Sequence, residues 1–153
     1  MRKMGSLEYA LYLLKIRDRS VGEINHKMAM KGYLREEVEE VILFLKDKNF
    51  LDDERFVRNF IKNQLAIKPL GKYRLDQKLK QLYVDERIIK EALVEISNSD
   101  EKKNAEEVAE KWLNRKSDIK NKYEKLGRYL VSRGFNYEII KEILTKTNTK
   151  NTD

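Results

Sequence analysis

The sequence predicts an all-α chain built from three tandem three-helix repeats. Three observations predict it. Apolar residues recur with a helical period along almost the whole chain. Six glycines and one proline among 153 residues leave too little punctuation for turn-rich β, linker-rich or collagen-like architectures. The chain also aligns with itself, twice, at a shift of about 51 residues. Ile24, Leu75 and Leu126 share a column, as do Met28, Leu79 and Leu130; Tyr33, Val84 and Phe135; Val38, Ile89 and Ile140; Val41, Ala92 and Ile143; and Ile42, Leu93 and Leu144. Chance alone would give about two such all-apolar columns over that window. The expected repeats run over residues 5–48, 52–97 and 99–146, with a disordered tail at 147–153. Each repeat is too small to be comfortably stable alone, so neighbouring repeats must support one another. An elongated, curved array follows, with its hand, right or left, open.

The first helix is expected from about Leu7 to Ile16, capped by Ser6, with Ala10, Leu11, Leu13 and Leu14 on its apolar face. Arg17-Asp18-Arg19 breaks it. Ser20-Val21-Gly22-Glu23 then reads as a capping box, in which Ser20 and Glu23 each satisfy the other's backbone N–H. That second helix should stop at Gly32, which takes a left-handed conformation at little cost. A third follows from Arg35 to Lys48, with Val38, Val41, Ile42 and Leu45 inward. Asp52 caps the fourth, and Leu51 and Phe56 occupy its two hydrophobic-staple positions. Pro69 and Gly71 separate the fourth and fifth helices, and Ser97-Asn98-Ser99-Asp100 marks the next break. Gly134 repeats the Gly32 stop, and Asp85 and Asn136 share a cap column; Tyr83 and Leu34 depart from the two patterns. The stretch from Thr145 to Asp153 is rich in Thr, Asn and Lys, has little to bury and is expected to be disordered.

Composition narrows the function. Hydrophobic residues are 41% and charged residues 39%, which allows only a thin or divided core. Cysteine is absent, which excludes disulfides, zinc fingers and cysteine nucleophiles. One histidine, His26, argues against a histidine metal site. No apolar run approaches the ~18 residues of a membrane span, and the N-terminus shows no signal-peptide pattern. The expectation is a cytoplasmic monomer that needs no cofactor.

Net charge is +7, which favours an anionic partner. From Arg55 to Lys80 the bases are Arg55, Arg58, Lys62, Lys68, Lys72, Arg74, Lys78 and Lys80, against Asp76 alone. Arg55, Arg58 and Lys62 fall on one face of the fourth helix, away from Phe56 and Phe60; Arg74 and Lys78 are one turn apart on the fifth. A second basic stretch carries Arg115, Lys116, Lys120, Lys122, Lys125, Arg128 and Arg133 against Asp118 and Glu124. Glu36, Glu37, Glu39 and Glu40 make the third helix acidic instead. Such bases either solubilise exposed helix faces or contact phosphates. Eight bases against one acid leave little intrahelical pairing, which favours contact in the first stretch.

Catalytic constellations are missing from this pattern. Asp52, Asp53 and Glu54 sit where carboxylates cap a helix and complement its dipole. Tyr33 lies in an apolar column, and Trp112 shares a column with Ala10 and Ile61, so both read as core. Pro69-Leu70-Gly71-Lys72 is too short for a phosphate-cradling glycine loop. An enzyme is not expected.

These residues also carry a resemblance. Leu14 to Ile24, with Arg17, Arg19, Ser20 and Glu23, resembles an early pattern of the bacterial RecX regulatory proteins. Lys31-Gly32-Tyr33, Phe50-Leu51-Asp52-Asp53-Glu54-Arg55-Phe56-Val57, Gly71 to Leu75 and Arg133-Gly134-Phe135 are similar to that family's later motifs, in order and spacing. The likeness covers about residues 7–144; Val57 stands for the usual alanine, and Tyr83-Val84 for an expected glycine-aliphatic stop. The resemblance implies a non-enzymatic protein that binds the RecA–DNA filament in its groove and restrains recombinase ATP hydrolysis and strand exchange in DNA repair and the SOS response. It also implies contact with single- or double-stranded DNA. The bases assigned to that contact are Arg55, Arg58, Lys62, Lys72, Arg74 and Lys78, with Lys122, Lys125, Arg128 and Arg133 as a second region. Two other readings stay open: a stand-alone DNA- or RNA-binding protein of helix-turn-helix-like units, and, weaker, a basic protein lying on a membrane surface.

Overall fold

A computed structural model of the chain describes residues 4–116 and 120–150. Among the described residues there are nine helices and no strand: α1 (Ser6–Ile16), α2 (Val21–Lys31), α3 (Arg35–Asp47), α4 (Asp53–Ile67), α5 (Lys72–Gln81), α6 (Glu86–Val94), α7 (Asn98–Arg115), α8 (Lys122–Ser132) and α9 (Tyr137–Lys150). The all-α, three-helix repeat architecture read from the sequence is therefore the architecture found.

Local chemistry explains where these helices begin. Ser20 Oγ accepts from the Glu23 amide at 3.0 Å, and Glu23 Oε1 accepts from the Ser20 amide at 3.2 Å, so the capping box forms. Asp52 Oδ1 accepts from the Arg55 amide at 3.1 Å, with Leu51 and Phe56 buried beside it. Ser97 caps α7 through the Asp100 amide at 3.0 Å. Asp85 and Asn136 each accept, at 2.8 Å, from the amide two residues on. The first helix differs from expectation. Ser6 is already helical, and the preceding extended residue is Gly5, which has no side chain to cap with. Glu8 instead reaches back to the Gly5 amide at 3.4 Å.

Helix stops follow the repeat. Gly32 and Gly134 have φ of 98° and 85°, and Tyr83 takes their place in the middle repeat with φ of 61°. At all three, the next amide donates to the carbonyl five residues back, Tyr33 to Met28, Val84 to Leu79 and Phe135 to Leu130, each at 3.2 Å. The stop survives the loss of glycine, at a left-handed backbone cost of about 1–2 kcal/mol.

The C-terminal expectation is corrected. Helix α9 continues through Lys150 instead of ending near Lys146, so 147–150 are helical, and 151–153 lie outside the described residues. Thr145 and Thr147 hydroxyls donate to the carbonyls of Lys141 and Ile143 at 2.9 and 2.6 Å. These threonines bond back along the helix and do not compete with it. Asp118, counted in the second basic stretch, also lies outside the described residues.

Two compact units emerge. One is the chain up to Asn59 together with Leu79–Ile89; the other is Phe60–Lys78 together with the chain from Lys90 on. In the first, α1, α2 and α3 enclose Ala10, Leu13, Ile24, Met28, Val38, Val41 and Leu45. In the second, α7, α8 and α9 enclose Ala105, Val108, Trp112, Leu126, Leu130, Phe135 and Ile140. Each unit also contains a junction to part of the middle repeat, and the two junctions use equivalent positions. In the first, Ser20 Oγ donates to the Leu82 carbonyl, and a Cβ on Gly22 would overlap Tyr83. In the second, the Gly71 amide donates to the Arg133 carbonyl at 2.8 Å, Tyr73 donates to Gly134 at 3.2 Å, and a Cβ on Gly71 would overlap the Gly134 carbonyl. Ser20 and Gly71, like Leu82 and Arg133, are one repeat length apart, so the same contact surface is used twice.

Candidate functional site

The basic residues occupy helix faces whose opposite sides are committed to packing. On α4, Phe56 and Val57 are buried, which leaves Arg58 and Lys62 exposed. Arg55 is half-buried, and its guanidinium donates to the Asn49 carbonyl at 2.8 Å. Asn49 has φ of 62°, so Arg55 also braces the turn from α3 to α4. Arg55 and Arg58 belong to the first compact unit, and Lys62 to the second.

In the second unit, Leu75 is fully buried on α5, and Lys72, Arg74 and Lys78 on the same helix are half-buried. Arg74 bonds Gln77 at 2.7 Å. The junction at Gly71 and Gly134 seats the start of α5 against the turn after α8. It therefore joins Lys72 and Arg74, from the first basic stretch, to Arg133, from the second. On α8, Lys125 is exposed and Lys122 half-buried, while Arg128 pairs with Glu124 one turn back. Among the described residues, Arg58, Lys62, Lys72, Lys78, Lys125 and Arg133 enter no ion pair. Among the described residues no carboxylate pairs with these six cations, so their charge is not neutralised by an ion pair there.

Two further bases join this region, and sequence spacing did not single them out as contacts. Lys68, in the turn after α4, places its ammonium 5.2 Å from the centroid of the Tyr129 ring. Arg115 closes α7 and acts on the same phenol. Burial raises the Tyr129 pKa, but Lys68, then Arg133 and Arg115, outweigh it and hold the phenol below its ordinary value. A contact between residues 61 positions apart leaves no local periodic signal.

The acidic residues have structural duties. Glu23 is buried and receives Arg17 and Arg19 as well as the Ser20 amide. Asp53 Oδ1 accepts from the Val21 amide at 2.8 Å, bracing the start of α2. Burial raises the Asp53 pKa; the Val21 hydrogen bond and Lys46 oppose this, and Asp52 and Asp85 add to it. Asp53 thus serves a helix N-terminus beyond its own, where the sequence suggested a local cap. Among the described residues no group of three His, Cys, Asp or Glu side chains is arranged to hold a metal, and no helix is long and apolar enough to cross a membrane. His26 stacks on Tyr83 with centroids 4.7 Å apart. Trp112 lies in the core, as its column suggested.

Comparison with known proteins gives three consecutive matches. The first three-helix domain of RecX matches residues 7–45, the second 52–93 and the third 100–144. The chain belongs to the RecX family. It is 35% identical to the regulatory protein RecX of Prosthecochloris aestuarii, covering 94% of each chain. It is 34% identical to that of Vibrio parahaemolyticus, covering 93% of this chain and 91% of the relative. A Clostridium botulinum relative is 36% identical over 80% of this chain, which spans 58% of that longer protein. The crystal structure of RecX from Lactobacillus salivarius superposes with a TM-score of 0.80 at 23% identity over 94% of this chain and 95% of that one, which shows the shared fold.

The RecX motifs gain physical reasons here. In the early motif, Ser20 and Glu23 cap α2, Arg17 and Arg19 neutralise the buried Glu23, and Gly22 clears room for Tyr83. In the aspartate-rich motif, Asp52 caps α4, Asp53 holds α2 and Arg55 braces the preceding turn. These two motifs build the scaffold; Arg58, Lys62, Lys78 and Lys125 lie between the motifs, while Lys72 and Arg133 lie within the later ones.

Proposed function

We propose that this RecX-family chain is a non-enzymatic regulator that binds a RecA-type recombinase filament on DNA and restrains its ATP hydrolysis and strand exchange. The observation that carries this reading is a set of cations, Arg58, Lys62, Lys72, Lys78, Lys125 and Arg133, with no carboxylate partner among the described residues, in a chain whose relatives are regulatory proteins. A filament on DNA offers phosphates and acidic protein surface together. The bases assigned to contact are Arg55 and Arg58 in the first unit and Lys62, Lys72, Arg74 and Lys78 in the second, with Lys122, Lys125, Arg128 and Arg133 as a further set in the second. A regulator of this kind acts only through its differential affinity for two filament states.

The test uses reversal of Arg58 and Lys62, since Arg55 also braces a turn. Arg58→Glu with Lys62→Glu is expected to keep the helical content and melting temperature and to weaken inhibition of recombinase strand exchange at least tenfold. Unchanged inhibition by the folded double variant would remove α4 from the contact surface. The helix-turn-helix alternative requires like residues at equivalent reading positions. Lys27, Lys78 and Tyr129 share one such column, and Tyr129 is held against Trp112 and beneath Lys68. The observations favour the filament reading.

A further inference from the structure

Three cations converge on one phenol in the second compact unit. Tyr129, on α8, stacks on Trp112 of α7 with ring centroids 6.3 Å apart. Lys68 approaches the ring from the α4–α5 turn at 5.2 Å. Arg133 follows Tyr129 by one turn, and Arg115 follows Trp112 by one turn. Tyr129 Oη and Arg133 Nε are both buried; the Lys68 ammonium acts on the phenol oxygen as a hydrogen-bonding cation, which leaves the phenol O–H without an acceptor, and Arg133 Nε has no partner. Among the described residues Lys68, Arg115 and Arg133 enter no ion pair.

This arrangement is incomplete as it stands. Like charges gathered without a counter-ion repel, and a buried donor without an acceptor keeps its desolvation penalty. An oxyanion at this point relieves both. We propose that Lys68, Arg115, Arg133 and the Tyr129 hydroxyl form a binding site for a phosphate group. The phenol O–H and the Arg133 Nε–H donate to phosphate oxygens, and Lys68 and Arg115 supply charge. These groups come from the α4–α5 turn, α7 and α8, so they approach from different directions. A tetrahedral phosphate meets such donors; a carboxylate presents two oxygens in one plane and is matched by a single guanidinium fork. The depressed Tyr129 pKa agrees: burial, the largest influence, raises it, yet the surrounding charge still favours an anion at that oxygen. If the filament reading holds, the phosphate is one phosphodiester of the strand, which is where this inference rests on it.

The chain supplies its own reporter, because Trp112 is its only tryptophan. The full-length protein is titrated with an oligothymidylate, with pyrophosphate and with polyglutamate, and Trp112 emission is followed. The expected result is a saturable change with oligothymidylate, pyrophosphate or both. A response to the oligonucleotide alone assigns the site to a nucleic-acid strand, and one to pyrophosphate alone to a free phosphate compound. Tyr129→Phe is expected to weaken that binding about tenfold. Its melting temperature should be unchanged or higher, since it removes a buried O–H that has no acceptor. Lys68→Gln should weaken binding similarly. An absent emission change, an equal response to polyglutamate, or wild-type affinity in Tyr129→Phe would overturn the site. No recombinase is present, so a failure here leaves filament regulation standing, and the reverse also holds.

Discussion

At the scale of single residues, the scaffold depends on a few positions where a side chain has a unique partner or no room. Gly22 is one. A Cβ there meets the Tyr83 backbone and Cβ, so Gly22→Ala should destabilise by about 1–3 kcal/mol, measured by thermal or denaturant unfolding. Gly5→Ala, with open space around it, should change stability by less than ~0.5 kcal/mol. Ser20→Ala loses both the α2 cap and the bond to Leu82, and should cost about 2 kcal/mol. The Ser20 cap was legible in the sequence because its partner is three residues away. Its bond to Leu82, 62 residues on, was not, because nothing local distinguishes a capping serine that also reaches another helix's last turn. Titration supplies a further test. The Tyr129 pKa is depressed in the folded state, so its ionisation adds stability that is complete above the unfolded value of 10.0 and lost as pH falls through the folded value. Wild type should therefore gain stability relative to Tyr129→Phe as pH rises toward 10, measured by urea unfolding across pH.

At the scale of elements, helix stops and caps recur because each repeat solves the same problem of turning the chain between its second and third helices. Gly32, Tyr83 and Gly134 occupy one column, and the backbone bonds around them coincide. Asp85→Ala and Asn136→Ala should each cost about 1 kcal/mol, the ordinary worth of an N-cap, in chemical denaturation. Apolar periodicity made the helices legible, since each inward column is buried or partly buried in all three copies. Composition misled at the end of α9. Threonine-rich sequence reads as poor helix, but the hydroxyls of Thr145 and Thr147 bond back to the turn before them. The basic face of α4 was legible as a face; that Arg55 also holds the Asn49 carbonyl was not, because a turn's need for a donor has no signature in charge spacing.

At the scale of the whole molecule, a repeated sequence has placed two similar three-helix bundles in separate compact units and divided the middle helices between them. The order of the repeats was legible from the 51-residue echo. The division was not, because it follows from the junctions at Ser20 and Gly71, which self-alignment places in one column without showing what they touch. Charge is the property that belongs to the whole chain. With about six bases on phosphates, log affinity for DNA should fall with log salt at a slope near −5, and removing one contact base should reduce that slope by about one. The most direct test of the central claim is the ATPase rate of a RecA-type recombinase on single-stranded DNA, with and without this protein, across salt. The account predicts that the folded protein lowers the rate at low salt and that the effect fades as salt rises. An unchanged rate at low salt, with protein in excess over recombinase, would contradict it.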